Sequence, residues 1–180
     1  MSRISYKGLI TLVERGVISP VDLKDVNGVS IDVHLGSKIL VERKPASGTV
    51  VSLRDKEALS MEEVDITGGH YDLRPGHFIL AHTVELFTLP DNISITLRLN
   101  SSSARVALEH LMATLGDPYW VGRLTLELVN MSRYHTLRLH DGVRIGQILF
   151  DKCKRVPKDR GYATRGRYQN NMTVQGVINK

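Results

Sequence analysis

Downstream of residue 17 the chain reads as short runs of Val, Ile, Leu and Thr separated by turn residues, the pattern of β-strands. Such runs occupy 29–35, 38–43, 49–53, 77–88, 93–99, 123–130, 135–139 and 144–152. Pro45 to Gly48, Gly68-Gly69, Pro75-Gly76, Pro90-Asp91-Asn92 and Asp141-Gly142 supply the turns between them. Two segments depart from this pattern. In 5–16, Leu9, Ile10, Leu12 and Val13 recur at helical spacing ahead of Gly16, which predicts a short amphipathic helix. Segment 102–110 predicts a second short helix, with Ser101 or Ser102 as its N-cap. Many short strands with regular turns predict a mainly β fold, a barrel or a sandwich.

The run 122–128 (Gly-Arg-Leu-Thr-Leu-Glu-Leu) alternates apolar and polar positions. Leu124, Leu126 and Leu128 are expected on one face of a strand, Thr125 and Glu127 on the other. A carboxylate fixed on a strand suits a base that activates water. Upstream, Asn100-Ser101-Ser102-Ser103-Ala104-Arg105 offers hydroxyls beside an arginine, which is chemistry for phosphates and polar bases. Alternation alone would also put a glutamate on the solvent side of a strand, so Glu127 draws its interest from this company.

Composition sets limits. A length of 180 residues suits one domain with a substantial core. The chain holds no run of eighteen apolar residues and no apolar stretch like a signal peptide at Met1 to Tyr6. These absences lead to the expectation of no membrane partner, and the lone Cys153, which cannot form an internal disulfide, fits a reducing cytoplasm. One cysteine also cannot build the His/Cys zinc site of nucleobase deaminases, and the seven histidines show no ligand spacing. Any deamination here would activate water without zinc. Residues 151–168 carry seven Lys and Arg against two Asp, an excess equal to the whole chain's net charge of +5. Clustered basic residues suit phosphates. With only Tyr162 and Tyr168 interleaved and no nucleic-acid motif, a nucleic-acid partner is disfavoured.

Taken in order, these blocks resemble the deoxycytidine triphosphate (dCTP) deaminase branch of the deoxyuridine triphosphatase (dUTPase)-like superfamily. That branch carries stretches close to R-S-S-L-A-R, H-x-T-A, I-D-P-G-[FW] and G-x-[IL]-x-L-E. Here they read Asn100 to Arg105, His110-Leu111-Met112-Ala113, Gly116-Asp117-Pro118-Tyr119-Trp120 and Gly122 to Glu127. Asn27 to Gly36, Pro75 to Thr83, Leu89-Pro90-Asp91 and Gly142 to Gln147 resemble further landmarks, so the likeness spans most of residues 1–168. It implies a dUTPase-like distorted, jelly-roll-like β-barrel over 17–152, preceded by a helix in 1–16 and followed by a basic tail, 153–180, that folds over the nucleotide. It also implies homotrimers with active sites between subunits, and Mg2+ carried with the nucleotide phosphates rather than a metal that deaminates.

The resemblance assigns roles residue by residue. Glu127 falls where the family has its general base, and Ser101 and Arg105 where a serine and an arginine orient water and the pyrimidine edge. Asp117 falls beside the deoxyribose hydroxyl, and Ala113 at a backbone contact to the base. Tyr162, Arg167 and Asn171 fall where the tail meets the nucleotide. Asn100, Ser102 and Thr125 complete the expected substrate-binding set. His34, His82, His110, Trp120 and Asp32 are expected in structural roles. Departures cluster around phosphate and base contacts. Leu99-Asn100 stands for Gly-Arg, which weakens phosphate binding by about 1.5 to 3 kcal/mol unless Arg98, two residues away, compensates. Met112 replaces threonine, Tyr119 replaces glycine, Asn171 stands in a glutamine's place, and the loop between Arg105 and His110 is one residue short.

The expected function is therefore zinc-independent hydrolytic deamination of a deoxycytidine nucleotide, foremost dCTP. The alternatives are dUTP diphosphatase activity, alone or coupled to deamination, and a silent nucleotide sensor or nucleic-acid-binding protein. The departures imply an altered nucleotide preference, in phosphate count or pyrimidine modification.

Overall fold

The computed structural model describes residues 2–111 and 113–178. In chain order the elements are β1 (Ser2–Arg3), α1 (Tyr6–Glu14), β2 (Ile18–Ser19), β3 (Ile31–His34), β4 (Lys38–Glu42), β5 (Met61–Asp65), β6 (His70–Leu73), β7 (Phe78–Thr88) and β8 (Ile93–Leu99). After these come α2 (Ser101–Arg105), β9 (Leu108–His110), β10 (Leu115–Gly116), β11 (Val121–Asn130), β12 (Leu137–His140), β13 (Arg144–Lys152) and α3 (Tyr162–Arg165).

The strands form two main antiparallel sheets and a ribbon. One sheet runs β1-β13-β8-β10, with β3 also paired to β13. The other runs β5-β4-β7-β11-β9, with β2 also on β7, and β12 pairs with β6. Ile31 and Val33, Ile79 and Ala81, Ile95 and Leu97, Leu126 and Leu128, and Ile148 and Phe150 are buried at alternate positions of their strands. They meet in one apolar cluster drawn from both sheets, joined by Leu9 and Leu12 of α1. Period-two patterning is carried by the strands that bury alternate residues in this core, whereas β7 buries Ile79 to Thr83 without interruption.

Three local expectations need correction. Residues 49–53 form no strand: Val50 and Leu53 are 94% and 85% exposed in the loop between β4 and β5. β-branched residues there find no apolar partner, and tertiary context outweighs propensity. β5 and β6 instead come from Met61–Asp65 and His70–Leu73, whose polar composition hid them. The helix expected over 102–110 stops at Arg105, and Leu108–His110 forms β9 on β11. Its cap is Asn100, not a serine: Asn100 Oδ1 accepts the Ser103 N–H at 2.8 Å.

The third correction lies in β11. Pairing with β7 runs Arg123 opposite Leu86 and then Thr125 opposite His82, so the register slips at Leu124. Such a bulge re-aims a side chain. Leu126 and Leu128 stay in the core, whereas Leu124 is only half-buried and lines the same cavity as Thr125 and Glu127.

Candidate active site

A cavity of about 510 Å³ opens over β11. It is lined by Arg123, Leu124, Thr125 and Glu127 of β11, by Ala113, Gly116 and Asp117, and by Tyr162, Tyr168, Asn171 and Gln175 from the tail. Leu40, Leu59, Met61, Phe78 and Leu80 add apolar lining. Register explains part of this lining. Glu127 stands opposite Leu80 on β7, and Leu80 stands opposite Leu40 on β4, so the three side chains form one row across the sheet.

Glu127 is half-buried, with Oε2 lacking a hydrogen-bond partner among the described residues. Its nearest titratable neighbour is His110, whose Nε2 lies 3.1 Å from Glu127 Oε2. The two atoms are close but not aligned for a hydrogen bond, and neither ring nitrogen of the 4% exposed His110 has another partner. A buried imidazole and a carboxylate oxygen left unsatisfied together form a polar niche that a water or a ligand amine would satisfy. Sequence reasoning set His110 aside as structural. Its spacing to Glu127 becomes informative only once β9 is known to pair with β11, where His110 lies opposite Leu128.

The tail is laid along the start of β11 by specific bonds. Trp120 Nε1 donates to the Tyr168 carbonyl at 3.0 Å, Arg123 N–H to the Asn171 carbonyl at 2.7 Å, and Asn170 N–H to the Val121 carbonyl at 2.8 Å. The Asn171 side chain donates to Thr125 Oγ1 at 3.3 Å. Gly122 permits this approach, since a Cβ there would sit 2.9 Å from the Asn171 carbonyl oxygen. Tyr119 adopts φ +70°, a left-handed conformation in which glycine costs least. Its ring packs against Gly161, and its hydroxyl donates to the Val156 carbonyl at 3.3 Å, tying down the basic segment.

Of the residues singled out from sequence, Glu127, Thr125, Asp117, Ala113, Tyr162 and Asn171 line this one cavity. Arg167 does not; its guanidinium donates to the Ile178 carbonyl at 3.0 Å and holds the tail's end. Met112 lies outside the described residues. Arg123, unmarked by sequence reasoning, lines the cavity and donates to the Thr83 and Val84 carbonyls. Trp120, expected to be structural, is both a core residue and part of the wall.

The serines lie elsewhere. Asn100, Ser101 and Ser102 border a second, shallower depression with Asp32, Arg144 and Gln147. Arg105 is exposed and lines neither depression. Within one copy, therefore, Glu127 shares no cavity with Ser101 or Arg105. Asn100 has both side-chain ends engaged, Oδ1 capping α2 and Nδ2 donating to the Arg144 carbonyl at 2.9 Å. Arg98 is exposed and borders neither depression, so it does not stand in for the missing arginine within one copy. Asp32 is buried and pairs with Arg144 at 2.8 Å and Asn27 at 2.9 Å.

The model of the dCTP deaminase-like family matches residues 4–153. The chain belongs to that family. A relative from Dictyoglomus thermophilum named "dCTP deaminase, dUMP-forming" is 33% identical over 86% of this chain and 81% of its own. A Haloarcula marismortui relative named "dCTP deaminase" is 34% identical over 92% of this chain and 89% of its own. The solved 2'-deoxycytidine 5'-triphosphate deaminase of Agrobacterium tumefaciens superposes with a TM-score of 0.65 at 21% identity, over 84% of this chain. This chain spans 47% of that longer one, and the likeness confirms the fold. Membership accounts for the ordered motifs from Asn27 to Gln147.

Among the described residues no helix is long and apolar enough to cross a membrane. No group of three or more His, Cys, Asp or Glu among them could hold a metal ion.

Proposed function

We propose that this protein hydrolytically deaminates a deoxycytidine nucleotide, foremost dCTP, and that Glu127 is the base. The observation that carries this is the Glu127 carboxylate in a cavity that it shares with Thr125, Asp117 and Asn171. A nucleotide with its sugar beside Asp117 presents C4 of cytosine towards Glu127. The carboxylate takes a proton from water as its oxygen bonds to C4, then hands it to the amine as the C4–N bond breaks. The Ala113 backbone meets the base, and Asp117 meets the deoxyribose hydroxyl. Tyr162 and Asn171 close over the nucleotide, while Arg167 secures the tail behind them.

Ser101, Ser102 and Arg105 complete the site from a neighbouring copy in a homotrimer, where they fix the water and stabilise the developing charge. Their separation from Glu127 within one chain supports a site shared between subunits. Mg2+ travels with the phosphates as part of the substrate. The name of the Dictyoglomus relative favours a second reading, deamination coupled to removal of pyrophosphate. Asp117, in the same cavity as Glu127, is the carboxylate available for that second water.

Purified protein with Mg2+ and dCTP tests both readings. Ammonia with dUTP supports the deaminase, and ammonia with equal pyrophosphate and dUMP supports the coupled reaction. Absence of ammonia overturns both.

A further inference from the structure

The residues leading into β11 hold the tail at two stretches, 156–162 and 169–171. Tyr119 serves both. Its hydroxyl donates to the Val156 carbonyl at 3.3 Å, and its own carbonyl accepts the Gln169 Nε2 amide at 3.1 Å. Beside these bonds, Tyr162 N–H donates to the Pro118 carbonyl at 3.1 Å, and Val121 N–H donates to Gln169 Oε1 at 3.2 Å. The Tyr119 ring lies so close on buried Gly161 that a Cβ there would fall 2.2 Å from Tyr119 Cδ2. Any larger residue at 161 has to displace the ring. All of these contacts run between protein atoms.

Tyr119 holds φ at +70°, where a bulky residue is rare and persists only when its surroundings fix it. Glycine would make the same turn without strain. What the tyrosine adds is the ring on Gly161 and the bond to Val156. The tail that it holds carries Tyr162, Tyr168 and Asn171, all of which line the cavity. We infer that Tyr119 and Gly161 form a latch that keeps the tail in the cavity lining before nucleotide arrives, which makes Tyr119 a positioning residue for substrate binding. A nucleotide then meets a lining already ordered, and its affinity is not reduced by the entropy of ordering it. The consequence for binding rests on the deaminase reading, which makes this cavity the nucleotide site. The latch itself does not.

Limited trypsin digestion without nucleotide reads the latch, because the tail exposes Lys154, Arg155, Lys158, Arg160 and Arg165. Trypsin needs the backbone to open as well as the side chain to be exposed, so cleavage there follows release of the tail. Arg54 and Lys56, exposed in the loop between β4 and β5, give a reference cleavage. In the unaltered protein the tail should be cut about tenfold or more slowly than that loop. Tyr119→Gly suits the left-handed backbone, and alanine accepts the φ of −74° at Gly161. Tyr119→Gly and Gly161→Ala should therefore each speed tail cleavage several-fold, with loop cleavage and the thermal midpoint unchanged. Tyr119→Phe keeps the ring and should keep most of the protection. The two loosening variants should also raise KM for dCTP about two- to tenfold, the range of one neutral hydrogen bond, with kcat unchanged or higher. Where dCTP is not turned over, its calorimetric affinity takes the place of KM. Protection of the tail without turnover overturns the deaminase reading and leaves the latch standing. A tail cut as fast as the loop in the unaltered protein, or one that neither variant exposes, overturns the latch. Faster tail cleavage with unchanged KM and affinity overturns the role in binding. A lowered thermal midpoint with faster loop cleavage in both variants assigns Tyr119 and Gly161 to the fold alone, which also overturns it.

Discussion

His110 Nε2 lies 3.1 Å from Glu127 Oε2, and neither atom has a hydrogen-bond partner among the described residues. The histidine is held by β9 and the glutamate by β11, adjacent strands of one sheet. The imidazole thus limits where the carboxylate can stand, which in the proposed mechanism makes His110 a positioning residue for the base. His110→Gln should lower kcat roughly ten- to hundredfold, the effect of misplacing a reacting group by about an ångström. KM for the nucleotide should stay within a few-fold, because His110 is not among the residues lining the cavity. Steady-state kinetics separates the two constants, and a change confined to KM would argue against this role.

Asn171 joins the tail to β11 through Thr125 and reaches the cavity. Asn171→Ala removes one neutral hydrogen bond, worth about 0.5 to 1.5 kcal/mol, and one polar side chain from the cavity lining. The expected outcome is a several-fold rise in KM with kcat little changed. The reverse pattern would place Asn171 in the chemistry instead.

The chain's pattern of apolar positions yielded the mainly β architecture and the placement of β3, β4, β7, β8 and β11 to β13 within a few residues. The resemblance to the dCTP deaminase branch, not that pattern, marked Thr125, Asp117, Ala113, Tyr162 and Asn171, which line one cavity with Glu127. What sequence reading missed has physical causes. β5 and β6 are rich in charged and polar residues, with Met61, Val64 and Leu73 too sparse to read as strands. The bulge at Leu124 is a property of the β7 pairing, not of local sequence. The apolar lining of the cavity includes residues of β4, β5 and β7 that only sheet register brings together. Asn100 drew notice for the arginine it lacks, whereas the structure shows a working helix cap.

That cap is measurable. Asn100→Ala should cost about 0.5 to 2 kcal/mol of stability by releasing the Ser103 N–H, and Asn100→Asp should keep most of it. Denaturant unfolding of the two variants checks this. Equal stability of Asn100→Ala and the unaltered protein would remove the capping role.

His82 is buried beneath Gly36, its Nδ1 2.9 Å from the Thr83 carbonyl and its Nε2 without a partner. Burial disfavours the charged imidazolium and pushes its pKa below the ordinary 6.5. The unfolded chain then binds a proton that the folded chain refuses. This contribution to stability is complete above about pH 6.5 and declines as pH falls towards the folded pKa. His82→Leu should flatten that decline in thermal unfolding measured between neutral and mildly acidic pH. An unchanged slope would assign the acid sensitivity to other groups.

The shared site is tested most directly by mixing two inactive variants, Arg105→Ala and Glu127→Gln, under conditions that dissociate and reassemble subunits. In the proposed homotrimer each intersubunit site needs one intact Arg105 and one intact Glu127, and random one-to-one assembly supplies both in about a quarter of sites. Ammonia release from dCTP returning to about a quarter of the unaltered protein's rate is the expected result. Mixtures as inactive as their parents would contradict a catalytic site in which Glu127 of one copy works against Arg105 of the next.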